Sequence, residues 1–130
     1  MATANDNHEG SLAGVRVLVV EDDPVLLMDL ETTLESAGAT PVGLCQTLRD
    51  ALDWSEASDY SVAVLDFRLG DETVSPVALK LASRGVPFVV YTGHAWHEPA
   101  LARWRDRIVQ KPSPPRTVIS AISAAMRRCS

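Results

Sequence analysis

Val62-Ala63-Val64-Leu65-Asp66 is a run of apolar residues closed by one carboxylate, and Phe67-Arg68-Leu69-Gly70-Asp71 after it reads as a loop. An apolar run of this length, rich in Val, suits a strand buried in a parallel sheet. Open α/β sheets bind ligands outside the carboxyl ends of such strands. Asp66 therefore stands where chemistry is usually done. Capping of the following turn is its plain alternative.

The chain on either side repeats the pattern. Val15-Arg16-Val17-Leu18-Val19-Val20 is a strand that runs into Glu21-Asp22-Asp23. Asp23 suits a helix N-cap and Pro24 a first helical position. Val25, Leu26, Met28, Leu30 and Leu34 give that helix its apolar surface, and Gly38 ends it. Pro41 to Cys45 is a short second strand. Thr47 with Asp50 resembles a capping arrangement for a helix through about Glu56. Beyond Asp66, Ser75-Pro76 reads as cap and first residue of a short helix stopping at Gly85. Val86 to Tyr91 is a fourth strand, followed by Thr92-Gly93-His94. Glu98-Pro99 opens another short helix to Trp104. Arg107 to Gln110 is a weak fifth strand, ended by Lys111-Pro112. Ser113-Pro114 starts the last helix, whose Val118, Ile119, Ile122 and Met126 lie at helical spacing. Strand and helix alternate five times, which predicts an α/β fold with a parallel sheet and helices on both faces.

The 130 residues suffice for one domain with a real core, and 46% hydrophobic content argues against disorder. Met1 to Gly10 is polar and acidic, with no signal-peptide pattern. The expected organisation is a flexible N-terminal extension over residues 1–13 and a single domain over 14–130. No apolar run is long enough to span a bilayer, and a cytoplasmic location is expected. Cys45 and Cys129 suggest neither a disulfide framework nor a metal spacing. A net charge of -5 argues against nucleic acid as the main partner.

Four strand ends then matter together. They are Glu21-Asp22, Asp66, Thr92 and Lys111. In a parallel sheet all four lie on one edge. Three carboxylates there repel each other, so a stable arrangement needs a cation. Hard oxygen ligands of this number suit magnesium. A hydroxyl and an ammonium on the same edge suit a tetrahedral oxyanion seated on one carboxylate. The chemistry that fits is phosphoryl transfer to Asp66. His94 and His97 flank Trp96 in a spacing that fits no common zinc pattern.

With these motifs in view, the chain resembles the receiver domain of bacterial two-component response regulators from Val15 to Met126. The matches are Val19-Val20-Glu21-Asp22-Asp23, Leu65-Asp66, Tyr91-Thr92-Gly93 and Lys111-Pro112. The resemblance implies a flavodoxin-like (βα)5 fold with strand order 2-1-3-4-5. It implies that Asp66 accepts phosphate from a histidine kinase or phosphotransfer protein. Glu21 and Asp22 would be the acidic pair at a magnesium ion, bound directly by Asp22, Asp66 and the backbone carbonyl of Arg68. Thr92 would be the switch hydroxyl and Lys111 the phosphate-binding lysine, followed by a cis bond to Pro112. Pro87-Phe88-Val89-Val90-Tyr91-Thr92-Gly93-His94 is similar to the Phe-Ala-Thr-Gly-type motif of alphaproteobacterial single-domain regulators. Gly70, where many receivers have Pro, is similar to that subgroup too.

The pattern departs from the usual receiver in three places. The stretches from Asp66 to Thr92 and from Thr92 to Lys111 are a few residues short. Ile108 stands three before the lysine, where an aromatic switch residue is usual. The signal is then expected to leave through residues 93–99, with Trp96, toward the face of the fourth helix, fifth strand and last helix. A homodimer would form through that face. The function that results is a stand-alone signalling receiver, not an enzyme, without a DNA-binding domain, that switches an unknown downstream protein or relays or drains phosphate. One alternative is a magnesium-dependent phosphatase of the haloacid dehalogenase type, but that needs a second acid where Arg68 stands. The other is a degenerate receiver that binds partners without phosphate. Lys111, at the sheet edge, is expected to be removable at little cost in stability.

Overall fold

The computed structural model describes residues 11–57, 59–93 and 99–128. Its elements are β1 (Arg16–Val20), α1 (Pro24–Ser36), β2 (Thr40–Cys45), α2 (Leu48–Ser55), β3 (Val62–Leu65), β4 (Arg68–Leu69), β5 (Glu72–Thr73) and α3 (Ser75–Ser83). After these come β6 (Phe88–Thr92), a 3-10 segment (Pro99–Arg107), β7 (Ile108–Gln110) and α4 (Pro115–Arg128). The main sheet has five strands in the order β2-β1-β3-β6-β7. Its pairs are all parallel. In strand rank along the chain this is the expected 2-1-3-4-5.

The sheet is apolar on both sides, and its residues alternate between two cores. Leu18, Val20, Ala63, Leu65, Phe88 and Val90 pack with Ala51, Val77, Ala78, Leu81, Leu101 and Trp104. Val17, Val19, Val62, Val64, Val89 and Val109 pack with Leu27, Leu30, Leu34, Val118, Ile119 and Ile122. The period of two in β3 thus feeds both layers, which is why no polar residue interrupts it. Burying each Val or Leu of this kind stabilises the fold by about 1.5–3 kcal/mol.

Local signals hold the site-bearing turns. Asp23 caps α1, its Oδ1 accepting from the N–H of Val25 at 2.9 Å and of Leu26 at 3.4 Å. Thr47 Oγ1 accepts from the Asp50 N–H at 3.1 Å and caps α2. Gly43, inside β2, has φ of +39°. A Cβ there would come within 2.5 Å of the Trp54 ring and 2.8 Å of Leu18. Only glycine fits where β2 passes this indole.

Several expectations are corrected. Ser75 does not cap α3. It lies inside the helix, Val74 takes the cap position, and no side chain bonds there. The last helix starts at Pro115, while the Ser113 hydroxyl donates to the Gln110 carbonyl at 2.6 Å instead. The fourth helix is a 3-10 segment that departs from helical geometry at Trp104. With three residues per turn, Leu101 and Trp104 share a face, and both are buried. The short antiparallel pair β4–β5 was not foreseen. Leu12 is buried and its N–H bonds the Ala37 carbonyl at 2.9 Å, so the folded body begins before residue 14. The rest of the expected extension, residues 1–10, lies outside the described residues. So do His94, Trp96, His97 and Cys129. Among the described residues no helix is long and apolar enough to cross a membrane.

Candidate functional site

β1, β3, β6 and β7 deliver their carboxyl ends to one edge. Leu65 of β3 stands level with Val20 of β1 and with Val90 of β6, and Thr92 is level with Gln110. Glu21, Asp66 and Lys111 are therefore each the first residue past a strand. The Asp66 N–H is held by the Val20 carbonyl at 2.8 Å, and the Lys111 N–H by the Thr92 carbonyl at 2.9 Å. A cleft of about 290 Å³ opens there, lined by Glu21, Asp22, Asp23, Leu26, Asp66, Arg68, Gly93 and Lys111. Of the expected site residues, Glu21, Asp22, Asp66, Arg68 and Lys111 line this cleft, while Thr92 is fully buried at the end of β6.

Carboxylate oxygens of Glu21, Asp22 and Asp66 all lie within 4.8 Å of one another. Glu21 is fully buried. Its Oε1 accepts from Lys111 Nζ at 2.7 Å and its Oε2 from the Asp23 N–H at 3.2 Å. Both of its oxygens are thus engaged by the protein. Asp22 is exposed, and its Oδ2 accepts from the Gly70 N–H at 3.0 Å. Asp66 is 6% exposed and sits 3.5 Å from Lys111 Nζ.

The charges explain the titration of these groups. Burial first, then the neighbouring Glu21 and Asp22, push the Asp66 carboxyl up to about 7, with Lys111 pulling the other way. Burial works against ionised Asp22 as well, but the bonds it accepts, that of Gly70 foremost, hold it below the usual carboxylate range. Burial lowers Lys111, yet its bond to Glu21 and the charge of Asp66 outweigh this and leave it raised. One ammonium does not balance three carboxylates. The donor set is all hard oxygen and carries surplus negative charge, so it fits a divalent cation such as magnesium.

Lys111 corrects an expectation. Its side chain is only 18% exposed and its partner Glu21 has no exposure at all, so the pair is largely buried. The bond to Pro112 is cis, as the resemblance implies. Arg68 is exposed and lines the cleft, and it places a cation where a phosphatase of the haloacid dehalogenase type needs an acid.

Two contacts escaped the sequence reading. Gly70 stood out as a departure from Pro, but a loop glycine does not announce its acceptor. Its φ of +69° and its donating N–H are both things proline lacks. Tyr91 read as one more apolar strand residue. Its ring centroid lies 5.6 Å from Lys111 Nζ, and its Oη accepts from the Ser113 N–H at 3.2 Å.

A doubly wound parallel sheet with an acidic cleft at its carboxyl edge is the architecture of CheY-like receiver domains. The pattern described as the response regulator receiver domain matches residues 17–123, and the chain belongs to that family. A CheY-like receiver domain protein from Methanospirillum hungatei superposes with a TM-score of 0.76 at 22% identity, over 88% of this chain and 95% of that one. The chain is 29% identical over 116 residues to the phyllosphere-induced regulator PhyR of Methylorubrum extorquens, covering 85% of this chain and 43% of that protein. The anti-anti-sigma factor PhyR from Bartonella quintana superposes with a TM-score of 0.72 at 25% identity, over 87% of this chain and 47% of that one. The chain thus spans about half the length of these PhyR proteins.

Proposed function

We propose that this receiver accepts a phosphoryl group on Asp66 and thereby switches its binding to another protein. The observation that carries the reading is the pairing of Asp66 with Lys111 Nζ at 3.5 Å inside the acidic cleft. A carboxylate oxygen of Asp66 attacks the phosphorus of a phosphohistidine on the kinase or phosphotransfer protein. The new P–O bond forms as the P–N bond breaks, and the electron pair leaves on the imidazole. Asp66 must be ionised to attack. Lys111 donates to a phosphoryl oxygen and offsets the charge that arrives. Thr92, buried at the end of β6, is the hydroxyl that reads the added group. Asp22 and Asp66, with the Arg68 carbonyl, would hold magnesium directly, and Glu21 would act around them because both its oxygens are taken. The ion would neutralise the carboxylates and the equatorial phosphoryl oxygens.

The readout is protein binding, through the face of the 3-10 segment, β7 and α4, where a homodimer would also form. The two PhyR relatives support this, one named a regulator and the other an anti-anti-sigma factor. The setting is the cytoplasm, where the donor is met. The test is intact mass after incubation with magnesium and acetyl phosphate. Wild type should gain one phosphoryl group and Asp66→Asn none. Equal labelling of both would refute Asp66 as the acceptor.

A further inference from the structure

We propose that Tyr91 is a positioning residue for Lys111, holding the ammonium beside Asp66 and pinning the loop that carries it. The inference rests on the reading of Asp66 as phosphoacceptor and adds a residue to that site. Tyr91 makes two contacts here, one with the Lys111 ammonium and one with the loop that follows it. Its ring centroid lies 5.6 Å from Nζ, within the range where a ring face attracts a cation. Its Oη accepts from the N–H of Ser113, two residues past the lysine.

Among the described residues, and apart from the Lys111 ammonium itself, the loop Lys111-Pro112-Ser113 is otherwise tied at its ends. The Lys111 N–H bonds the Thr92 carbonyl, and the Ser113 hydroxyl bonds the Gln110 carbonyl. Pro112 has no N–H to give. The Tyr91 hydroxyl therefore supplies a side-chain anchor across the strand gap, from β6 to the residue that follows Pro112. Without it, Lys111 keeps its bond to Glu21 but loses the constraint on where its stem leaves the backbone. Tyr91 also adjoins Thr92. A move of the lysine toward a phosphoryl oxygen and a move of the Thr92 hydroxyl would both pull on the same ring.

The chain's two lysines, Lys80 and Lys111, make the test clean. Lys80 bonds Glu56 at 2.7 Å on another part of the surface and serves as the internal reference. In protein labelled at lysine Cε, the Lys111 methylene protons should be shifted by the ring current of Tyr91, and Tyr91→Leu should abolish this shift. Tyr91→Phe keeps the ring and loses only the hydroxyl. In saturating magnesium it should raise the half-saturating beryllofluoride concentration severalfold, with about fivefold, the worth of one net hydrogen bond, as the upper bound. Magnesium affinity measured alone should not weaken, because the carboxylates do not touch Tyr91. A general packing defect would weaken both together, and that result would overturn the proposal. So would equal beryllofluoride binding by Tyr91→Phe and wild type, while leaving the acceptor reading intact. A wild type that binds no beryllofluoride would remove the reading and this inference together.

Discussion

Asp66→Asn should make the metal-free protein more stable, by an amount that depends on pH. The folded protein holds the Asp66 carboxyl at about 7, against an ordinary value of 3.8. Between these values the native state binds a proton that the unfolded chain does not. Stability therefore falls as pH rises across that window, and the loss is complete above it. At 1.36 kcal/mol for each tenfold change, the loss is about 4 kcal/mol at pH 8 and less than half of that at pH 5. Asparagine has nearly the same shape and no charge, so it escapes this cost, while Lys111 keeps its 2.7 Å bond to Glu21. Urea unfolding followed by circular dichroism, with chelator present, reads the difference. Asp66→Asn should exceed wild type by several kcal/mol at pH 8, and the gap should shrink steadily toward pH 4. Magnesium should narrow the gap at pH 8, because it stabilises the protein that has the carboxylate. A variant less stable than wild type at pH 8, or a gap independent of pH, would refute the account of like charges crowded in a buried cleft.

Lys111→Ala should fold but lose about 3 kcal/mol, because buried Glu21 is left without its ammonium. It should also lose most of its beryllofluoride-dependent change in partner pull-down, which a dose series against wild type would check. Asp22→Ala should weaken magnesium binding by at least about tenfold, since one direct carboxylate goes; isothermal titration reads this. Gly43→Ala should destabilise by about 1–3 kcal/mol in urea unfolding, because its Cβ would meet the Trp54 ring at 2.5 Å.

The sheet was legible because its signals are local and repeated. An unbroken apolar β3, the Asp23-Pro24 start of α1 and the Thr47 cap each fix an element without help from elsewhere. The edge of acids, hydroxyl and lysine followed from the alternation alone, since parallel strands must end together. What stayed hidden depends on partners distant in sequence. Nothing near Gly70 says that its N–H meets Asp22, 48 residues away. Nothing near Lys111 says that Glu21, 90 residues away, draws it into a largely buried pair. Ser75 and Ser113 looked like caps, but tertiary packing set the helix starts elsewhere.

The fourth helix shows why an aromatic residue has to be weighed by its surroundings. Ile108 occupies the position where receivers usually carry a ring, which raises the question of whether another aromatic takes that part. Trp104 is the near candidate, four residues earlier. It is buried, meets Phe88 edge-on at a centroid distance of 5.2 Å, and has the Arg103 guanidinium 5.0 Å from its ring. Arg107 lies 4.3 Å from the Phe88 ring and 5.7 Å from that of Trp104. A ring fixed by a core neighbour and two guanidinium groups cannot swing without breaking all of these contacts. The indole belongs to the core that turns the chain from the 3-10 segment into β7. Among the described residues, the aromatic side chain that meets Lys111 is Tyr91 on β6. It sits on the opposite face of the sheet from Trp104, next to the hydroxyl that would sense the phosphoryl group. Among the described residues, the aromatic side chain at this cleft's edge therefore lies on the α1–α4 side, at Tyr91 beside the Ser113 loop.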